Sequence, residues 1–295
     1  MYGAGHAARG HISGRANPYC LEVRPVRLTP EQLDQFDRDG FLRFENLFSH
    51  EEVETLRAEL GRISRVDDPS IIRERTGALR TVYRSHEPDG ATRSDAFRAL
   101  ACSPRFLEPA QQVLRDEELY IFHSKCNIKT AIDGTVWLWH QDYGYWQHDG
   151  VPTPNMATFL VMLDEATELG GCLYFLPGSH KLPTLPAAKD ETTTSYPQWA
   201  IHKETMRDLL RRSPEPIPIV GGPGTAVLFH CKMVHASGHN LSANDRWHVY
   251  MAYNPAKNYP NPIPANPRPD YVVSRNYTPL HLMPDGAILK APVGV

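Results

Sequence analysis

Apolar positions along this chain fall into two regimes. Up to residue 114 they recur mostly at helical spacing, and from residue 118 onward they gather into short runs bounded by Gly and Pro. The first regime predicts three helices. Thr29 caps the first, Pro30 suits its opening turn, Gln32 completes a capping box, and Gly40 ends it with Leu33 and Phe36 facing inward. After a short strand at 41–44, Ser49 and Glu52 repeat the box. Val53, Leu56, Leu60 and Ile63 then form an apolar stripe of core character. A third helix fits 103–114, and the stretch 67–95 between the last two is polar and reads as irregular.

The second regime predicts strands at 119–129, 137–139, 156–163, 172–176, 217–220, 225–229 and 247–253. Asp133-Gly134 turns the chain between the first two. Short strands with Gly/Pro turns behind a helical start predict a mainly β protein with flanking helices, a double-stranded β-helix (jelly-roll, cupin-like) core. Residues 28–258 are expected to form one domain and 1–27 a flexible lead-in. Within the domain, 181–216 is an insertion carrying a helix at 203–212 and is a candidate lid. The Pro- and Asn-rich stretch 259–295 is expected to wrap the surface as coil.

Composition narrows the class. The 295 residues are 41% hydrophobic and 22% charged with a net charge of −3, the balance of a soluble globular protein. Without a basic tract or an apolar run of membrane length, the expected partner is a small molecule rather than nucleic acid or membrane, with the chain a monomer or homodimer. Five scattered cysteines and an N-terminus without a hydrophobic signal core point to the reducing cytoplasm.

The chemistry concentrates in Trp137-Leu138-Trp139-His140-Gln141-Asp142-Tyr143-Gly144-Tyr145-Trp146, read as a strand running to an exposed lip. Residues two apart on a strand share a face, so His140 and Asp142 can offer two ligands of a 2-His-1-carboxylate site, the set that suits non-haem Fe(II). In a chain with 14 histidines this dipeptide spacing is a weak signal by itself. A second cluster, Gly224 to Gly238, leads through a strand to His235, which a jelly roll would bring beside the first pair. Arg246 opens the next apolar run, where its guanidinium can clamp a carboxylate.

Taken together, His140-x-Asp142, the run Leu169-Gly170-Gly171-Cys172 to Pro177-Gly178-Ser179-His180, His235-x-Ser237 and Arg246 resemble the phytanoyl-CoA dioxygenase family of Fe(II)- and 2-oxoglutarate-dependent oxygenases. The resemblance spans about 28–254 and implies iron on His140, Asp142 and His235, with 2-oxoglutarate on Arg246 assisted by Ser237 and O2 as oxidant. Within the family the chain is most similar to the ectoine hydroxylase branch, through Asn127-x-Lys129, Trp146 and Phe229. That likeness puts Asn127 and Lys129 at the co-substrate. It puts Trp146, Phe229, His123 and Tyr143 at the substrate. His123, His230 and His248 stand where the branch carries Gln, Asp and Asn, which argues against ectoine itself while leaving the iron and co-substrate untouched. His180 is expected to stabilise its turn, Cys172 to fill core, and His148, His230, His239 and His248 to support the site from behind.

The implied activity is hydroxylation of an unactivated C–H in a small amino-acid-like or natural-product metabolite, giving succinate and CO2. Desaturation, cyclisation or epoxidation by the same cofactor set stays open, as do a non-catalytic cupin-like binding protein and a zinc hydrolase.

Overall fold

A computed structural model describes residues 20–21, 27–194 and 197–291. Most of the expected lead-in therefore lies outside the described residues. Its Cys20–Leu21, β1, pairs in parallel with the strand that follows the first helix.

The chain runs through α1 (Pro30–Asp39), β2 (Phe41–Phe44), α2 (His50–Ile63), β3 (Ile71–Arg73), β4 (Leu79–Tyr83), α3 (Asp95–Ala101), α4 (Pro104–Leu114), β5 (Leu119–Lys129) and β6 (Trp137–His140). It continues through α5 (Asp142–Trp146), β7 (Ala157–Met162), β8 (Leu173–Phe175), β9 (Ala187–Asp190), β10 (Gln198–Ile201) and α6 (Lys203–Arg212). The last elements are β11 (Ile217–Ile219), β12 (Ala226–His230), β13 (His235–Ser237), β14 (Arg246–Pro255) and α7 (Ala287–Lys290). The result is mainly β, with antiparallel sheets and flanking helices.

An eight-stranded sheet has the order β1-β2-β12-β7-β14-β5-β4-β3, and a four-stranded sheet the order β11-β8-β13-β6. Period-two alternation assigns the faces of the larger sheet. Val249, Met251 and Tyr253 of β14, Phe159 and Val161 of β7, and Leu228 of β12 join the core under α1 to α4. The alternate residues Leu160, Met162, Val227, Phe229 and Tyr250 pack instead with Leu173, Phe175 and Ile219 of the smaller sheet. The space between the sheets is thus apolar at one end. Along β5 the same inward face becomes polar, carrying His123, Lys125, Asn127 and Lys129.

Both capping boxes form as expected, at Thr29 with Gln32 and at Ser49 with Glu52. Gly40 sits at φ 83°, and a Cβ there would lie 2.3 Å from the His180 ring. Only glycine can end α1 and let the backbone pass His180 into β2.

Two stretches depart from expectation. The polar stretch 67–95 is irregular only in part. It supplies β3 and β4 to the large sheet, because Thr81 and Tyr83 of β4 pair with Asn127 and Lys125 on the polar inward face while Val82 enters the core. The 181–216 insertion carries its helix, α6, as expected, and adds an unforeseen antiparallel hairpin, β9–β10. Buried Gln198 of that hairpin grips β6, with Oε1 accepting from Leu138 N at 3.0 Å and Nε2 donating to Val136 O at 3.0 Å.

Candidate active site

Strands β6 and β13 pair antiparallel with His140 directly opposite His235, which brings their ring centroids to 4.1 Å. Asp142 reaches the same point by a route other than strand alternation. β6 ends at His140, Gln141 caps α5, and Asp142 is that helix's first residue. Gln141 fixes the corner by accepting from Leu185 N at 2.8 Å and donating to Lys232 O at 3.0 Å. His140 Nε2 then lies 3.6 Å from Asp142 Oδ1, and one ligand atom from each of His140, Asp142 and His235 falls within 4.8 Å of the others.

Each imidazole is oriented by its own strand. His140 Nδ1 donates to Leu138 O at 2.6 Å and His235 Nδ1 to Met233 O at 2.9 Å. A carbonyl can satisfy only a ring N–H, so Nδ1 carries a proton on each ring and Nε2 is the nitrogen left to face the centre. Burial holds His235 neutral, down to about 3. Burial alone would raise the Asp142 carboxyl, but its interactions with the neighbouring His140, His235 and Lys125 outweigh burial and hold the group below the usual carboxylate range. Two lone pairs and a carboxylate facing one another repel unless a cation sits among them. The donor set therefore fits a metal of the non-haem iron type, with the second ring nitrogens already held.

Behind this centre lies a buried cationic group. Arg246 opens β14 directly across the ladder from Lys129. Arg246 is 1% exposed and Lys129 2% exposed. Lys129 Nζ donates to Ser237 Oγ at 2.8 Å and to Gly238 O. Arg246 Nη1 donates to His248 Nδ1 at 3.0 Å, while its Nε has no partner and no carboxylate reaches it among the described residues. Asn127 is occupied by Thr81, whose hydroxyl donates to Asn127 Oδ1 at 3.1 Å.

In front of the metal ligands opens a cavity of about 300 Å³ with His140 and Asp142 in its wall. Of the predicted substrate residues, His123 and Trp146 line it. Tyr143 and Phe229 do not. The Tyr143 hydroxyl turns away to donate to Val151 O at 3.1 Å, and Phe229 packs between Phe175 and the His235 ring, with centroids at 5.1 and 5.5 Å. Sequence reasoning missed Lys125, although it lies two residues from both His123 and Asn127 on one strand face. It also missed Arg268, Tyr271 and Val272, which the C-terminal coil carries into the cavity wall; no periodicity marks them.

The other histidines separate. His180 occupies its turn against Gly40, and Cys172 is fully buried core, both as expected. His148 stacks on Trp199 with centroids 4.9 Å apart, and His239 bonds the Gly134 carbonyl at 3.3 Å. His230 packs against Phe36 and His180, with Nδ1 accepting from Lys232 N, and is absent from the cavity wall. His248 accepts from Arg246 and so adjoins the buried cationic group.

A mainly antiparallel β protein with buried 2-His-1-carboxylate donors between its sheets, backed by an arginine without an acidic partner, defines the architecture of a non-haem iron oxygenase. The model of the family described as phytanoyl-CoA dioxygenase (PhyH) matches residues 36–247, and the chain belongs to that family. It is 31% identical to the ectoine dioxygenase of Bordetella bronchiseptica over 263 residues, covering 84% of this chain and 83% of that one. To the L-proline trans-4-hydroxylase of Streptomyces griseoviridis it is 29% identical, covering 83% and 92%. The crystal structure of EctD from S. alaskensis with 2-oxoglutarate and 5-hydroxyectoine superposes with a TM-score of 0.74 at 26% identity, over 92% of this chain and 94% of that one.

Proposed function

We propose that this protein is an Fe(II)- and 2-oxoglutarate-dependent dioxygenase that hydroxylates an unactivated C–H of a small metabolite. The observation that carries the reading is the pairing of an oriented His140–Asp142–His235 donor set with a buried, acid-free Arg246. When bound, iron, 2-oxoglutarate and O2 supply the oxidising chemistry, coupling decarboxylation of the oxo acid to succinate and CO2 with insertion of oxygen into a C–H bond. His140, Asp142 and His235 would hold the iron, with Leu138 O and Met233 O keeping both Nε2 lone pairs available.

Arg246 would receive the far carboxylate of 2-oxoglutarate, oriented by its bond to His248. Lys129, tied to Ser237, adds positive charge at the same end. Asn127 and Ser237 complete that wall. Trp146 and His123 bound the substrate and exclude water, while Phe229 braces His235 rather than touching substrate.

The two facing sheets fit a double-stranded β-helix of residues 28–258, and the relatives named above favour an amino-acid-like substrate. The hairpin β9–β10, gripping β6 through Gln198 and placing Pro197 and Gln198 in the cavity wall, supports a lid role for the 181–216 insertion. Free, buried thiols at Cys102, Cys126, Cys172 and Cys231 suit a reducing compartment such as the cytoplasm.

The test is anaerobic titration with Fe(II) and 2-oxoglutarate followed by succinate assay in air. A visible charge-transfer band and succinate formation are expected. Iron loading with neither would overturn the reading.

A further inference from the structure

The cavity wall carries a pair of groups that the iron chemistry leaves unused. His123 and Lys125 lie two apart on the inward face of β5, about 7 Å from each other along the strand, and both line the cavity. His123 Nδ1 bonds Val272 O of the C-terminal coil at 2.6 Å. That bond fixes the proton on Nδ1, and Nε2, which has no partner among the described residues, is left as a pure acceptor. Burial keeps the ring neutral, down to about 3. Lys125 Nζ lies over the Trp137 and Tyr250 rings at 4.9 and 5.3 Å, and among the described residues no acceptor bonds it.

The remaining wall charges cancel. Arg268 is paired with Asp149, and Arg80 with Glu74. Asp142, the only carboxylate among the described wall residues, belongs to the metal donor set. Among the described residues the substrate thus meets one cation without a bonded partner and one neutral acceptor, and no free carboxylate for an ammonium group.

Resting on the dioxygenase reading, we propose that His123 and Lys125 set specificity for a small carboxylate whose second recognised group is a neutral N–H or O–H donor. The anion sits on Lys125 and the donor on His123 Nε2. A zwitterion with an ammonium group at the second position is the disfavoured class. Val272 acts as a positioning residue, because its carbonyl decides which imidazole nitrogen faces the cavity.

The experiment measures binding by isothermal titration calorimetry to the anaerobic protein loaded with iron(II) and 2-oxoglutarate. The probes are L-pyroglutamate, its methyl ester, its N-methyl derivative and L-proline. L-Pyroglutamate is expected to bind about tenfold or more tighter than each of the others, the worth of a charge-assisted or buried hydrogen bond. Lys125→Met should erase the preference over the ester and Lys125→Arg should keep it. His123→Phe should erase the preference over the N-methyl compound, and His123→Gln, whose amide oxygen can accept, should retain it.

Tighter binding of L-proline, no binding of L-pyroglutamate, or preferences untouched in Lys125→Met would overturn the proposal. Succinate formation by the wild type without any probe reports separately on the dioxygenase reading. Its absence together with that of the charge-transfer band sinks that reading, whereas either signal with the wrong probe ranking sinks only this one.

Discussion

Replacing Arg246 by Met should move stability and co-substrate affinity in opposite directions. The guanidinium is 1% exposed, its Nε is unpartnered, and the residue across the ladder is a second cation, Lys129. Burial pulls the proton affinity of both groups down. A buried charge without a counter-ion costs several kcal/mol, and an apolar side chain of similar length removes that cost. Against this stands the lost bond to His248, worth about 1 kcal/mol. The co-substrate-free variant should therefore be more stable by about 2 kcal/mol, a rise of several degrees in Tm.

With 2-oxoglutarate the sign reverses. Two charge-assisted hydrogen bonds to its far carboxylate, each worth about 1.5–3 kcal/mol, are lost, so affinity should fall by about two to four orders of magnitude. Thermal melts with and without 2-oxoglutarate read both effects, because ligand stabilisation seen in the wild type should vanish in the variant. A variant that melts lower and keeps its KM for 2-oxoglutarate would show Arg246 to be a structural strut and refute the reasoning.

His235→Ala removes a metal ligand and the ring that Phe229 and Phe175 pack against; iron stoichiometry by elemental analysis should drop to background and succinate formation with it. Acid should unfold the protein through its buried neutral histidines. His86, His123 and His230 are each pushed by burial from 6.5 to about 3, so the unfolded chain binds the protons and stability, full above 6.5, declines as pH falls toward 3. Between pH 6.5 and 5.5 the unfolded imidazoles pass from half to about nine-tenths protonated, which costs about 1 kcal/mol per group and about 3 kcal/mol in all; a urea midpoint unchanged over that interval would contradict this. Gln198→Ala frees the β9–β10 hairpin from β6, and the ratio of succinate to hydroxylated product should rise as the cavity admits water, with 2-oxoglutarate affinity unchanged.

What the sequence made legible was whatever a local pattern encodes. Capping boxes at Thr29 and Ser49 marked helix starts, and the apolar runs marked β5, β7 and β12. The donor set was legible because metal chemistry restricts residue types at His140, Asp142 and His235. The geometry behind it was not. The His140–Asp142 pair comes from a strand meeting a helix, and bonds to residues distant in sequence, Gln141 to Leu185 and Lys232 and Tyr143 N to Cys231 O, hold that corner. β4 escaped notice because its inward face lines a polar cavity, so apolar alternation is missing where function replaces it. Phe229 and Tyr143 were misplaced because an aromatic near a site reads the same in sequence whether it faces the ligand or braces a ligand residue. Arg268, Tyr271 and Val272 reach the cavity through coil, where no period exists to betray them.

The polar face of β5 ties these observations together. His123, Lys125, Asn127 and Lys129 run in sequence from the substrate cavity toward Arg246, with Arg246 paired directly across from Lys129. Cations inside a sheet sandwich lower stability, and Asp142 offsets that cost only in part, at Lys125. An interior like this is maintained for what enters it. Arg246 and Lys129, nearly sealed from solvent, suit the far end of a dicarboxylate; Lys125, half-buried in the cavity wall, suits a smaller anion arriving afterwards. Of the histidines that distinguish this chain from the ectoine hydroxylase pattern, His230 packs away from the cavity, His248 bonds the inner cation Arg246, and His123 alone lines the cavity. In this chain the departure from that pattern that reaches the cavity therefore lies on the inward face of β5, beside the coil carbonyl that bonds its imidazole.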